Sequence, residues 1–177
     1  MHFINFLKRI STLIDSYYEK WSKLHFINFI LASKLLNIVL TIPIIVLISI
    51  GGVEDDTIGG PNVNILSFIE SLIFFVVAAP IIETYLGQHL PIKITQKFVH
   101  SHSAKIPIIV STLLFSAFHA SYSSWYFLII LPLGWILATS YTIFQSRKES
   151  AFWITAAIHM LHNLIAIMMR YEDISKL

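Results

Sequence analysis

The chain contains no cysteine. A disulfide framework, a thiol nucleophile and a Cys-bound metal are therefore excluded. Charge is scarce too: Asp, Glu, Lys and Arg make up 12% of the 177 residues, about half the roughly 25% of a soluble domain. Twelve basic and ten acidic residues leave a net charge of +2, too slight to hold a polyanion. Nucleic acid is thus excluded as a partner. The sequence has no P-loop, no Gly-x-Ser-x-Gly elbow and no His-Glu-x-x-His, so none of the chemistries that those motifs support is expected. It also has no internal repeat and no low-complexity tract.

What is abundant is apolar. Hydrophobic residues make up 56% of the chain and aromatics 14%, with a mean hydropathy of +0.74. Neither a water-soluble globule nor a disordered chain has this composition, which instead predicts an integral membrane protein whose solvent is the lipid bilayer. About 20 apolar residues cross a bilayer core as a helix. Four blocks reach that length, at about 26–50, 65–86, 125–144 and 151–169, and a shorter one lies at about 106–120. The expected architecture is an all-α, multi-pass bundle of about five spans, a single membrane domain over 1–177. Residues 3–24 mix apolar side chains with Lys8, Arg9, Asp15, Glu19, Lys20 and Lys23. They read as an amphipathic surface helix rather than a signal peptide, because no small-residue cleavage site follows an apolar run.

Residues 51–62 form a glycine-rich acidic loop, and residues 87–105 a basic connector in which Pro91 is expected to stop the preceding helix. Nine Lys and Arg (8, 9, 20, 23, 93, 97, 105, 147 and 148) fall on one side of the bundle. The positive-inside rule then places the N-terminus in the cytoplasm.

Ionisable groups at membrane depth are costly and mark candidate sites. Lys34 has a stem long enough to carry its ammonium to the headgroups. Glu70, in the first turns of its span, is stabilised by the helix dipole. Glu70 and Glu83 are 13 residues apart, about 220° around a helix, and do not form an acid–base pair. Glu83 lies deep in an apolar run just after Pro80, where a carboxyl is a candidate general base. His119 follows Phe115 by one turn, which sets an imidazole beside an aromatic wall. His159 and Asn163 share one helix face, with His162 alongside. Three chemistries can use this set. Glu83 can activate a water while His119, His159 and Asn163 stabilise an oxyanion. Glu83 and two histidines can hold a divalent metal such as zinc. The same groups can also relay protons in a transporter.

Three islands in successive apolar segments carry a resemblance. They are Ala79-Pro80-Ile81-Ile82-Glu83, Phe115-x-x-x-His119 and His159-x-x-x-Asn163. Together they resemble the CPBP family of intramembrane proteases, which includes the CAAX prenyl endopeptidases of the Rce type and bacterial proteins linked to bacteriocin processing or immunity. The motif-bearing core covers about 67–169. The resemblance implies an intramembrane endopeptidase acting on a membrane protein or peptide substrate, in a bacterial plasma membrane. It implies Glu83 as the base that activates water, with His119, His159 and Asn163 orienting the water or stabilising the oxyanion. It leaves the metal open. The family's second glutamate is replaced by Thr84 and its arginine by Gln88, which removes a carboxylate and a bidentate cation. A catalytically silent member serving as an immunity or scaffold protein is therefore the alternative. For Glu83 and His119 to meet, the 106–120 block must enter the bilayer later than Ile106, or the segment must tilt, or the 87–105 connector must dip into the protein. The connector's length and mixed polarity permit a helical extension from about Ser103, and a cavity open to the cytoplasm would satisfy all of these.

Overall fold

The computed structural model describes residues 19–61, 66–99 and 104–174, with the side chains of 55, 56 and 170–174 left aside. Most of the expected N-terminal surface helix lies outside these residues, and only its last turn, 19–22, is seen as helix. Among the described residues every regular element is a helix. They are α1 (Phe26–Ile50), the short α2 (Asp55–Ile58), α3 (Phe68–Phe98), α4 (Lys105–His119), α5 (Ser124–Phe144) and α6 (Ala151–Ile174). Four helices are long and apolar enough to cross a membrane: α1, α3, α5 and the 151–169 part of α6. The chain is an integral membrane protein. The 15 residues of α4 span only about 22 Å at 1.5 Å per residue, short of a ~30 Å hydrocarbon core.

α5 is the central helix. It is buried almost continuously from Ile130 to Phe144 and packs on α4, α6 and α1. Its Leu133, Ile136, Leu137 and Phe144 meet Phe29, Phe115 and Ile158 in the main core. Ala138 and Tyr141 meet Ile92 and Ile108 in a smaller cluster. Hydroxyls in these apolar helices bond back one turn, Thr112 to Ile108 O, Ser140 to Ile136 O and Thr142 to Ala138 O, so no water is needed to satisfy them. α1, by contrast, leaves most of its apolar surface exposed.

Pro91 does not end its helix. α3 continues through it to Phe98, with π-helical turns at Leu72–Ala78 and Tyr85–His89. A proline removes a donor and frees a carbonyl one turn earlier. The Gly87 carbonyl, four residues before Pro91, accepts instead from Ser111 Oγ at 2.7 Å. In the first π-helical turn, Ala79 N–H reaches back five residues to Phe74 O. Pro80 in that register leaves Phe75 O without a donor, and Asn163 Nδ2 supplies one at 2.8 Å.

The length of α3 brings Glu83 and His119 level. Glu83 lies 15 residues before the end of α3 and His119 14 residues after the start of α4, so an antiparallel hairpin sets them side by side. The helical length comes from the first part of the connector, as a continuation of α3 to Phe98, whereas α4 begins only at Lys105. Glu70 caps the start of α3, its Oε2 accepting from Ser67 N–H at 2.8 Å and Ser67 Oγ at 2.7 Å. This is a capping box, as its place at a helix N-terminus predicts.

The N-terminal approach is fixed by Arg147, in the turn between α5 and α6. Its Nη1 donates to Ser22 O at 3.1 Å and Leu24 O at 2.7 Å, while Nη2 pairs with Glu149 at 2.7 Å. The Arg147 guanidinium holds the Glu149 carboxyl below the usual carboxylate range.

Candidate active site

A cavity of about 380 Å³ opens between α3, α4, α5 and α6, and Glu83, His119, His159, His162 and Asn163 all line it. Glu83 Oε2 is 3.5 Å from His119 Nε2 and 3.5 Å from His159 Nε2. The expected groups therefore converge from three helices on one carboxylate oxygen.

Hydrogen bonds fix different proton positions on the two rings. His119 Nδ1 is 2.8 Å from Phe115 O. A carbonyl only accepts, so Nδ1 carries the proton and Nε2 of the neutral ring is left as an acceptor facing Glu83. His159 is fully buried, and its Nδ1 has no partner among the described residues. An orphaned N–H costs more than an orphaned lone pair, so its proton belongs on Nε2, directed at Glu83. Towards an ionised Glu83, His159 can donate directly, whereas the Nε2 lone pair of His119 can accept only from a water or from the protonated carboxyl.

Phe115 supports both rings. Its ring centroid is 4.7 Å from that of His119 and 5.4 Å from that of His159. Two glycines admit it. A Cβ on Gly87 would lie 2.8 Å from Phe115 Cδ2, and one on Gly134 would lie 3.1 Å from Cδ1. The aromatic wall expected beside His119 is thus present, and it serves His159 as well.

Asn163 uses one amide hydrogen on Phe75 O and retains a second amide N–H beside the cavity. Thr84 and Gln88 are fully buried, and neither Thr84 Oγ1 nor either Gln88 amide atom has a partner among the described residues. Those donors and acceptors stand where the family carries charge.

Two features depart from expectation. The cavity takes Pro61 and Tyr122 as lining residues, which places it towards the end of the bundle opposite the basic connectors, the end that the expected orientation sets away from the cytoplasm. The loop before α3 and the α4–α5 turn meet there, with Ser123 Oγ donating to Ile58 O. The turn reaches the cavity because α4 is short. Lys34 also does not extend to the headgroups: Nζ is turned inwards, 3.1 Å from His162 Nδ1. Spacing along α1 gave no sign of that contact, although an ionisable group inside an apolar span was itself a signal.

The family of type II CAAX prenyl endopeptidases, Rce1-like, matches residues 65–165. The chain belongs to this family. The matched region contains Glu83, His119, His159 and Asn163 and omits α1. No curated protein and no solved structure matches the chain. This family membership makes the chain a membrane protein of the CAAX protease type. Among the described residues no group of three or more His, Cys, Asp or Glu is arranged as a ready-made metal site.

Proposed function

We propose that the protein hydrolyses a peptide bond of a membrane-associated protein or peptide with a water activated at Glu83. The observation that carries this reading is the convergence of His119 Nε2 and His159 Nε2 on Glu83 Oε2, each at 3.5 Å, on the wall of a cavity. Glu83 takes a proton from water, and the hydroxide attacks the substrate carbonyl carbon. The C=O pair moves onto oxygen, where His159 Nε2–H and the second amide hydrogen of Asn163 donate to it. As the tetrahedral intermediate collapses, the C–N bond breaks and Glu83 returns its proton to the leaving nitrogen. His119, anchored through Nδ1, offers Nε2 as the acceptor that orients the water. Preorganised donors of this kind each contribute about 10²–10³-fold in rate.

A second reading draws on Thr84 and Gln88. Their buried, unpartnered polar atoms support a family member whose catalysis is altered or lost and which serves as an immunity or scaffold protein. Hydrolysis of a quenched fluorescent peptide library by detergent-purified protein decides between the two readings. Turnover lost in both Glu83→Ala and His159→Ala is the result expected of a peptidase. A chelator series in the same assay tests dependence on a divalent metal such as zinc. No turnover from folded wild-type protein, together with a phenotype that survives Glu83→Ala, would favour the scaffold. The arrangement of charge favours an orientation with the N-terminus in the cytoplasm.

A further inference from the structure

Lys34 is eight residues past the start of α1, about 12 Å along the helix and within the span. It is half-buried, and among the described residues no carboxylate pairs with it. A lone cation at this depth is costly and marks function. Among the described residues its polar contact is His162 Nδ1 at 3.1 Å. The same nitrogen is 3.0 Å from Oδ1 of Asn37, which is 3% exposed.

These two neighbours require opposite protonation of His162. An ammonium only donates, whereas an amide oxygen only accepts. The charge-assisted contact is roughly twice as strong as a neutral one. With Lys34 charged, Nδ1 is therefore the acceptor and the ring proton sits on Nε2. His162 lines the cavity, and no described residue bonds its Nε2. The ring thus offers an N–H donor to the cavity, with a full positive charge behind it.

We propose that Lys34 and His162 form a carboxylate-binding subsite of this cavity, with His162 Nε2–H donating to a carboxylate oxygen and Lys34 supplying the opposing charge. The inference deepens the peptidase reading and rests on it, naming which part of the peptide this wall reads. The carboxylate is either the C-terminus of the substrate or an Asp or Glu side chain. A cavity of about 380 Å³ lies near the lower end of ligand-site sizes and holds only a short stretch of chain. A short stretch entering apolar walls needs its one charge neutralised. His162 is an unspecified position of the third island, and Lys34 lies outside the family-matched region altogether.

The test reads affinity rather than turnover, in full-length Glu83→Gln protein in detergent. The probes are fluorescent tetrapeptides of sequence Ala-Leu-Val-Ala: the free acid, the C-terminal amide, and an amide with Glu in place of Leu. The acid should bind at least tenfold more tightly than the amide. Recovery of that margin by the Glu-containing amide would assign the subsite to a side chain, and its absence to the chain end. Adding Lys34→Met should remove the margin while leaving amide binding unchanged, and Lys34→Arg should restore it. Thermal unfolding of each variant checks the fold. Equal binding of acid and amide, including no binding of either, overturns the subsite. So does an equal loss for both probes in a folded Lys34→Met protein. Failure of the peptidase reading shows separately, as absent hydrolysis by the wild type, and leaves this comparison intact.

Discussion

Replacing Gly87 by Ala asks whether Phe115 sets the two histidines. A Cβ at Gly87 would stand 2.8 Å from Phe115 Cδ2 and 3.4 Å from its Cβ, whereas relaxed carbon contacts are about 3.5–4.0 Å. The ring must therefore give way by about 1 Å. Towards α5 it closes on the backbone of Gly134, which stands so near that a Cβ there would lie 3.1 Å from Cδ1. The remaining direction is against His119 and His159. Overpacking of this kind costs about 1–3 kcal/mol. Helix propensity returns up to about 1 kcal/mol when Ala replaces Gly, so the net destabilisation is about 0–2 kcal/mol. The effect on turnover is larger, since a displacement of ~1 Å at a catalytic group costs about 10²-fold. The assay is kcat/KM on a cleaved library peptide, with Tm measured in the same detergent. Gly87→Ala should lose about 10²-fold in kcat/KM while its Tm falls by only a few degrees. Adding Phe115→Leu should recover the stability but not the turnover. A Gly87→Ala protein with wild-type kcat/KM would refute the reasoning.

Other perturbations test separate parts of the structure. Ser111→Ala strips the buried Gly87 carbonyl of its donor and should destabilise the protein by about 1–3 kcal/mol, read from thermal unfolding. Gln88→Leu removes two buried amide atoms that lack partners and should hold or raise Tm; a clear fall would mean that the amide is satisfied by water. Arg147→Met frees the carbonyls of Ser22 and Leu24 and should speed proteolytic cleavage around residues 19–24. Because the Glu149 carboxyl is held low, its contribution to this clip is present at neutral pH and is lost as pH falls through its folded-state value, which lies below that of a free glutamate. The same protection should weaken there even in the wild type. The absence of cysteine permits single-cysteine labelling: Ser146→Cys should react from the cytoplasmic side and Ser121→Cys from the other.

Much of this was legible in the sequence because membrane helices must satisfy their backbone internally and carry few charges. Block length alone located α1, α5 and α6. The i, i+4 spacing placed His159 and Asn163 on one face, and each islet held one member of the Glu83–His119–His159 cluster. Depth was harder to read. Pro91 marks a helix end only if nothing else serves the freed carbonyl, and Ser111, 24 residues from Gly87 in sequence, does so. The orientation of Lys34 depended on an acceptor 128 residues away, which no local pattern encodes. Asn163 also has a second task, on Phe75 O, that follows from the π-helical register around Pro80, and that register cannot be seen in residue order.

α1 buries little, and beyond Trp21 just before it the contacts that hold it to the bundle come from late in the chain. Phe29 meets Phe144 edge-on at 4.9 Å, Arg147 grips the carbonyls just before α1, and Lys34 and Asn37 reach His162. At about 5–20 residues per second of synthesis, the roughly 100 residues or more that separate α1 from these partners take several seconds or longer to emerge. During biogenesis α1 therefore has to reside in the lipid as a solitary span, with its ammonium unsheltered. The span before the family-matched region inserts ahead of the helices that later dock it.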